Sequence, residues 1–133
     1  MSLSVWLVAL GSAVGGVTRF LLGAAVQHRV GTTFPIGTLV INVSGSLLLG
    51  FLLRFLLAAP TVSPEVRAML TAGFCGGYTT FSTFSADAAF LLESGQVGRA
   101  TLYAVASVVL SITGCFAGMW VARAVRLMFA PMA

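Results

Sequence analysis

The sequence contains no lysine and little charge of any kind, with seven arginines, three acids and one histidine in 133 residues. Charged residues make up 8% of it, against about a quarter in a soluble domain. Apolar residues make up 59% and the mean hydropathy is +1.06. A water-soluble globule of this size could not hide that much apolar surface. The net charge of +4 does not mark a nucleic-acid partner. Its arginines are spread singly and form no basic patch that would neutralise phosphates. The acids are Glu65, Asp87 and Glu93, so no carboxylate pair is available for acid–base work. His28 stands alone in a link, and Cys75 and Cys115 are far apart, with no metal-binding or redox spacing. Nothing here points to an enzyme, and an integral membrane protein remains.

The few charges divide the chain. Uncharged stretches of 18, 24, 19 and 23 residues precede Arg19, Arg54, Asp87 and Arg123, and a spanning helix needs about 20 apolar residues. Period-2 alternation is absent, which excludes a barrel. The expected fold is therefore all-α, a single transmembrane domain over 1–133 with helices near 4–26, 35–57, 66–92 and 98–127. Met1-Ser-Leu-Ser-Val-Trp lacks a basic leader region, and the first apolar stretch continues past Gly15, so it reads as a span rather than a cleaved signal. Gly31 and Pro35 bracket the first link, Pro60 and Pro64 punctuate the second, and Glu93-Ser-Gly-Gln marks the third. Four spans place Arg54, Arg67, Arg123 and Arg126 on one side and Arg29 and Arg99 on the other, a weak orientation bias. Ordinary orientation and insertion in both directions are both compatible with it. Gly11/Gly15, Gly114/Gly118 and Ser46/Gly50 are small residues at helical spacing, suited to packing within the chain or against partners. Four short helices enclose little space, so a pore would need a second copy, and a homo-oligomer is expected.

The most informative stretch is Gly73-Phe-Cys-Gly-Gly-Tyr-Thr-Thr-Phe-Ser-Thr-Phe-Ser85, in the middle of the third span. Gly76-Gly77 are poor helix formers. Thr79, Thr80, Ser82, Thr83 and Ser85 then supply five hydroxyls at membrane depth. Either the helix is kinked and its hydroxyls bond back to the preceding turn, or it is broken at midplane and its freed backbone groups bind ions. The density of hydroxyls favours the break. Phe81 and Phe84 share one face of a resumed helix, and their positive ring edges could attract an anion without formal charge. Asn42, in the second span, is either interhelical glue or a pore donor. Tyr103, Ser107 and Ser111 recur every four residues as a polar stripe, with Thr113 off it. The stripe is helix–helix glue or a track replacing hydration water. Arg19 either snorkels to the interface or faces a vestibule. Abundant donors, aromatic edges and a lone membrane cation together describe an anion path.

These residues resemble the Fluc/CrcB fluoride channels over nearly the whole chain. The resemblance rests on Gly15-Gly-Val-Thr-Arg19, on Gly37-Thr-Leu-Val-Ile-Asn42 with Gly45, and most specifically on the 73–85 run. Asp87 stands where glutamate is more usual. The resemblance implies an antiparallel, dual-topology homodimer in the bacterial cytoplasmic (inner) membrane, with two fluoride pathways and a sodium ion between subunits. It implies Phe81 and Phe84 as pore rings and Asn42 as a pore donor. Thr80, Ser82 and Thr83 would belong to the broken segment, and Tyr103, Ser107 and Ser111 would line the track. Arg19 would sit near a vestibule, and carbonyl oxygens of Gly76 and Thr79 would hold sodium. The implied partners are fluoride, sodium, lipid and a second copy, with no nucleic acid.

Two other classes fit parts of the sequence. A four-helix drug/proton antiporter matches the length and hydropathy but wants an early membrane-embedded acid, and no acid precedes Glu65. A structural membrane subunit would explain the small-residue pairs but not the buried polar run.

Overall fold

The computed structural model describes residues 3–56 and 61–128. Leu57 and Pro60, which the sequence reading puts at the end of the second span and in the following link, lie outside the described residues. The described residues are helical, without strands, and three helices are long and apolar enough to cross a membrane.

Helix α1 (Leu3–Val30) is one of these. It runs past the expected Val26 because His28 and Arg29 in its last turn complement the negative helix end. Gly31 stops it in the left-handed region (φ +63°), its N–H donating to the Gln27 carbonyl at 3.1 Å. Helix α2 (Ile36–Leu56) follows Pro35, whose missing N–H costs nothing at a helix start. Helix α6 (Val97–Met128) is the longest.

The third apolar segment is a composite. Ser63 caps a short α3 (Pro64–Ala68), its Oγ accepting from the Val66 N–H at 3.4 Å. A π-helical stretch, Met69–Cys75, follows, then a single turn α4 (Gly76–Tyr78), then α5 (Phe81–Glu93). Thr79 (φ −82°, ψ 159°) and Thr80 (φ −150°, ψ 117°) are extended, so the helix is broken between α4 and α5. The break therefore falls after Gly76-Gly77, not at them; Gly76 itself is helical (φ −65°, ψ −37°). Gly77 lets α1 approach closely, since a Cβ there would press on the Ser12 backbone, whereas a Cβ on Gly76 would meet nothing within 4 Å. The π-helical stretch was not expected, because nothing in residue propensity encodes it. Ser12 Oγ donates to its Gly73 carbonyl at 3.3 Å, and its own Thr71 Oγ1 donates back to the Arg67 carbonyl of α3 at 2.8 Å. Gly95 (φ +72°) ends α5 in a double-bonded cap, Gln96 N–H to Leu91 C=O and Gly95 N–H to Leu92 C=O, each at 2.9 Å.

Two pairings organise the bundle: α2 lies along α6, and α1 along the composite segment. Lipid gives no hydrophobic drive between helices, so contact depends on close backbone approach. Glycines supply it within the chain. Added Cβ atoms on Gly50 and Gly118 would strike the Cys115 and Leu47 carbonyls, and on Gly11 and Gly15 the Met69 and Phe74 carbonyls. The glycines of these pairs are thus packed against neighbouring helices of the same chain. Large apolar side chains such as Trp6, Phe20, Phe116 and Trp120 stay exposed around the outside.

Gly118→Ala is expected to lower stability by about 1–3 kcal/mol, the cost of overpacking. Gly98→Ala, where a Cβ meets nothing within 4 Å, is expected to leave it unchanged or higher. Thermal melting of the two purified variants checks the contrast.

Candidate functional site

A broken helix exposes backbone groups that hydrocarbon cannot satisfy, and at the break one side chain satisfies both groups of one residue. The Thr80 N–H donates to Asn42 Oδ1 at 2.8 Å, and Asn42 Nδ2 donates to the Thr80 carbonyl at 3.0 Å. The carboxamide of α2 thus pairs with the peptide of the third segment as a neighbouring strand would. Its second N–H takes no part in that pair. Thr80 is 8% exposed and also caps α5, its Oγ1 accepting from the Thr83 N–H at 3.1 Å. The same hydroxyl lies 3.0 Å from Thr83 Oγ1 and 3.2 Å from Ser82 Oγ. Thr79 folds back, its N–H and its hydroxyl donating to the Cys75 carbonyl at 3.0 and 2.9 Å. Both alternatives raised by the sequence are therefore present: hydroxyls bonded back to the preceding turn, and a real break beside them.

Two cavities meet at Thr80. One, of about 360 Å³, is lined by Asn42, Phe81, Phe84, Ser107 and Ser111, with Thr79 and Thr80. No ionisable side chain lines it. Ser107 is 6% exposed, and its Oγ is the one buried side-chain polar atom without a hydrogen-bond partner among the described residues. An unpaired buried hydroxyl costs about 1–3 kcal/mol unless a ligand or water completes it. Phe81 is 78% exposed, and its ring centroid lies 5.4 Å from that of Phe84. The cavity thus carries a few polar side chains of α2 and α6 among the apolar Leu49, Val108 and Ile112, with aromatic rings along α5.

The other cavity, of about 570 Å³, is lined by Arg19, Thr38, Thr80, Thr83 and Asp87, among others. Arg19 is thus brought to a cavity, and an acid from the third segment shares it. Asp87 Oδ2 accepts from Thr38 Oγ1 at 2.8 Å and from the Tyr103 hydroxyl at 3.1 Å. Tyr103 is fully buried and lines neither cavity. Of the stripe, only Ser107 and Ser111 reach the smaller one. Ser82 lines neither cavity. Gly76 presents an open side, with nothing within 4 Å of an added Cβ. No cluster of three or more His, Cys, Asp or Glu able to hold a metal exists among the described residues.

Sequence reasoning missed the Thr38–Asp87–Tyr103 cluster. The signal was present, since an acid at membrane depth needs donors. It missed Gln27 too, whose Nε2 donates to the Thr32 and Phe34 carbonyls while its Oε1 accepts from the Gly37 N–H at 3.0 Å.

A family model described as CrcB-like protein, Camphor Resistance (CrcB), matches residues 6–119. The chain belongs to the CrcB family. It is 49% identical over 120 residues to a Rhizobium meliloti (strain 1021) protein named Fluoride-specific ion channel FluC, covering 90% of this chain and 96% of that one. It is 45% identical over 116 residues to a Nitrobacter hamburgensis protein named Fluoride-specific ion channel FluC 1, covering 87% and 92%. A Chelativorans sp. protein, also named Fluoride-specific ion channel FluC, is 45% identical over 119 residues. With three apolar helices of spanning length and channel relatives, this CrcB protein is a multi-pass membrane protein that transports rather than catalyses.

Asn42→Ala should lower stability by about 2 kcal/mol, because it strips both Thr80 backbone groups of their partner. Thr80→Val, which removes the cap, should cost about 1 kcal/mol. Chemical or thermal unfolding in detergent reads both; wild-type stability in Asn42→Ala would show that the break holds itself open.

Proposed function

We propose that the chain is a passive fluoride channel that exports fluoride across the bacterial cytoplasmic membrane. The observation that carries the reading is the cavity at the break, lined by no ionisable side chain but by Asn42, Ser107, Ser111 and the rings of Phe81 and Phe84, with the buried Ser107 hydroxyl left unpartnered beside it. Fluoride is small and strongly hydrated, and hydroxyl and amide donors can replace its water. Ring edges add positive potential without a fixed charge. The names of the relatives point to the same ion.

Phe81 and Phe84 act as the pore rings, Asn42 as a donor, and Ser107 and Ser111 as the polar track. Thr80, Thr83 and Arg19 border the approach from the larger cavity. Tyr103 and Ser82 serve the pore from outside the cavity, through Asp87 and Thr80 respectively. Hydrogen fluoride crosses membranes uncharged and ionises inside at neutral pH. An inside-negative potential then drives the anion out, by about 2.3 kcal/mol per 100 mV. No proton-coupling acid is needed for that.

The composite segment serves as the fourth crossing, with its break near midplane. At 1.5 Å per residue its two arms span roughly 40 Å, enough for the bilayer core. The functional unit is an antiparallel, dual-topology homodimer with two pores. Its support is the wall missing beside the exposed Phe81 and the weak arginine asymmetry. A sodium ion between subunits is held by Gly76 and Thr79 carbonyl oxygens. Thr79 is extended and Gly76 has an open side, and neutral oxygen donors suit a hard monovalent cation. Two carbonyls from one chain cannot complete its shell, so the second copy is required there too.

Phe81→Ile and Phe84→Ile are each expected to depress fluoride efflux from liposomes by about tenfold or more while the dimer elutes unchanged. Ser107→Ala is expected to reduce efflux by about three- to tenfold with little loss of stability, since its Oγ bonds to no protein group. Wild-type efflux in all three would contradict the pore reading. Replacing sodium by a bulky organic cation is expected to lower the melting temperature; equal melting in both would remove the proposed cation site.

A further inference from the structure

The pore rings do not stand alone. Phe84 packs on the buried Tyr103, ring centroids 5.2 Å apart and planes at 40°. Tyr103 in turn receives Phe34 edge-on, at 5.7 Å and 84°. Phe34 belongs to the short link between α1 and α2, and it packs with Phe84 against the same buried cluster around Tyr103. Links normally move more than the elements they join, but this one is held from two sides. Gln27 of α1 donates to its Thr32 and Phe34 carbonyls and accepts from Gly37 beyond it. Arg99 of α6 donates to Thr33 Oγ1 at 3.1 Å, and its guanidinium carbon lies 5.8 Å from the Phe34 ring centre. A ring so placed can fix the tilt of Tyr103, and the tilt of Tyr103 limits where the Phe84 ring can go.

We infer that Phe34, clamped by Gln27 and Arg99, is a positioning residue for the pore: through Tyr103 it sets the angle at which Phe84 presents its edge to the cavity. This rests on the channel reading above, and it assigns a transport role to a link that lines no part of the smaller cavity. Phe34 touches no ion in this account; it acts only through Tyr103 and Phe84.

The test is a double-substitution cycle read by fluoride efflux from liposomes, with elution profile and melting temperature recorded for each variant. Phe34→Leu is expected to slow efflux about three- to tenfold without loss of the dimer. Phe34→Trp, which restores an aromatic edge, is expected to recover most of that loss. In the Phe84→Ile background, Phe34→Leu is expected to add nothing further, because the group it acts through is gone. Full efflux in Phe34→Leu, or two losses that multiply in the double variant, overturns the inference while Phe84→Ile alone still reports on the channel. Unchanged efflux in Phe84→Ile removes Phe84 as a pore ring and overturns this inference, whereas absence of fluoride efflux from the wild type overturns the channel reading itself. Should Phe34→Leu fail to assemble, Gln27→Met removes the α1 side of the clamp and changes no ring. Its loss must then also vanish in the Phe84→Ile background, and a multiplicative loss overturns the inference.

Discussion

A helix can be interrupted in hydrocarbon only where something else completes its hydrogen bonds, and at Thr80 the Asn42 carboxamide does so. That pairing links α2 to the third segment at the point where the chain is least able to stabilise itself. It turns α5 out of line with α4, and so carries Phe81 and Phe84 to the edge of a cavity whose far wall is α6. The Thr80 hydroxyl then caps α5, so one residue serves as bridge, cap and boundary between two cavities.

The surrounding packing exists to hold that geometry without hydrophobic drive. Glycines bring α2 onto α6 and α1 onto the composite segment at backbone distance, which fixes the walls while leaving the space at the break unfilled. Polar groups near the break are mostly satisfied internally. Asp87 is bonded by Thr38 and Tyr103, and Ser44 Oγ lies 2.9 Å from the Tyr78 hydroxyl. Against that background the single orphaned hydroxyl of Ser107 is informative. Among the described residues it is the one buried side-chain polar atom left without a partner, on a residue that lines the cavity at the break.

Much of this was legible in the sequence. Apolar runs between sparse charges located the long helices to within a few residues, and the dense hydroxyls after Gly77 marked the interruption. Its register was not legible, since Gly76 keeps helical angles and the extended residues are Thr79 and Thr80. The partner of the break was not legible, since Asn42 and Thr80 are 38 residues apart and nothing local links them. Nor was the π-helical stretch, which packs along α1. Tyr103 shares a stripe with Ser107, yet it is turned toward Asp87 rather than the cavity, and period alone could not distinguish those two environments.

At the centre of the proposed function is a selective, passive anion path. Purified protein reconstituted in liposomes loaded with potassium fluoride or potassium chloride, with potassium permeability supplied by an ionophore, tests this most directly. Rapid fluoride release with little chloride release is the result it predicts. Retention of both ions, or equal release of the two, would contradict it.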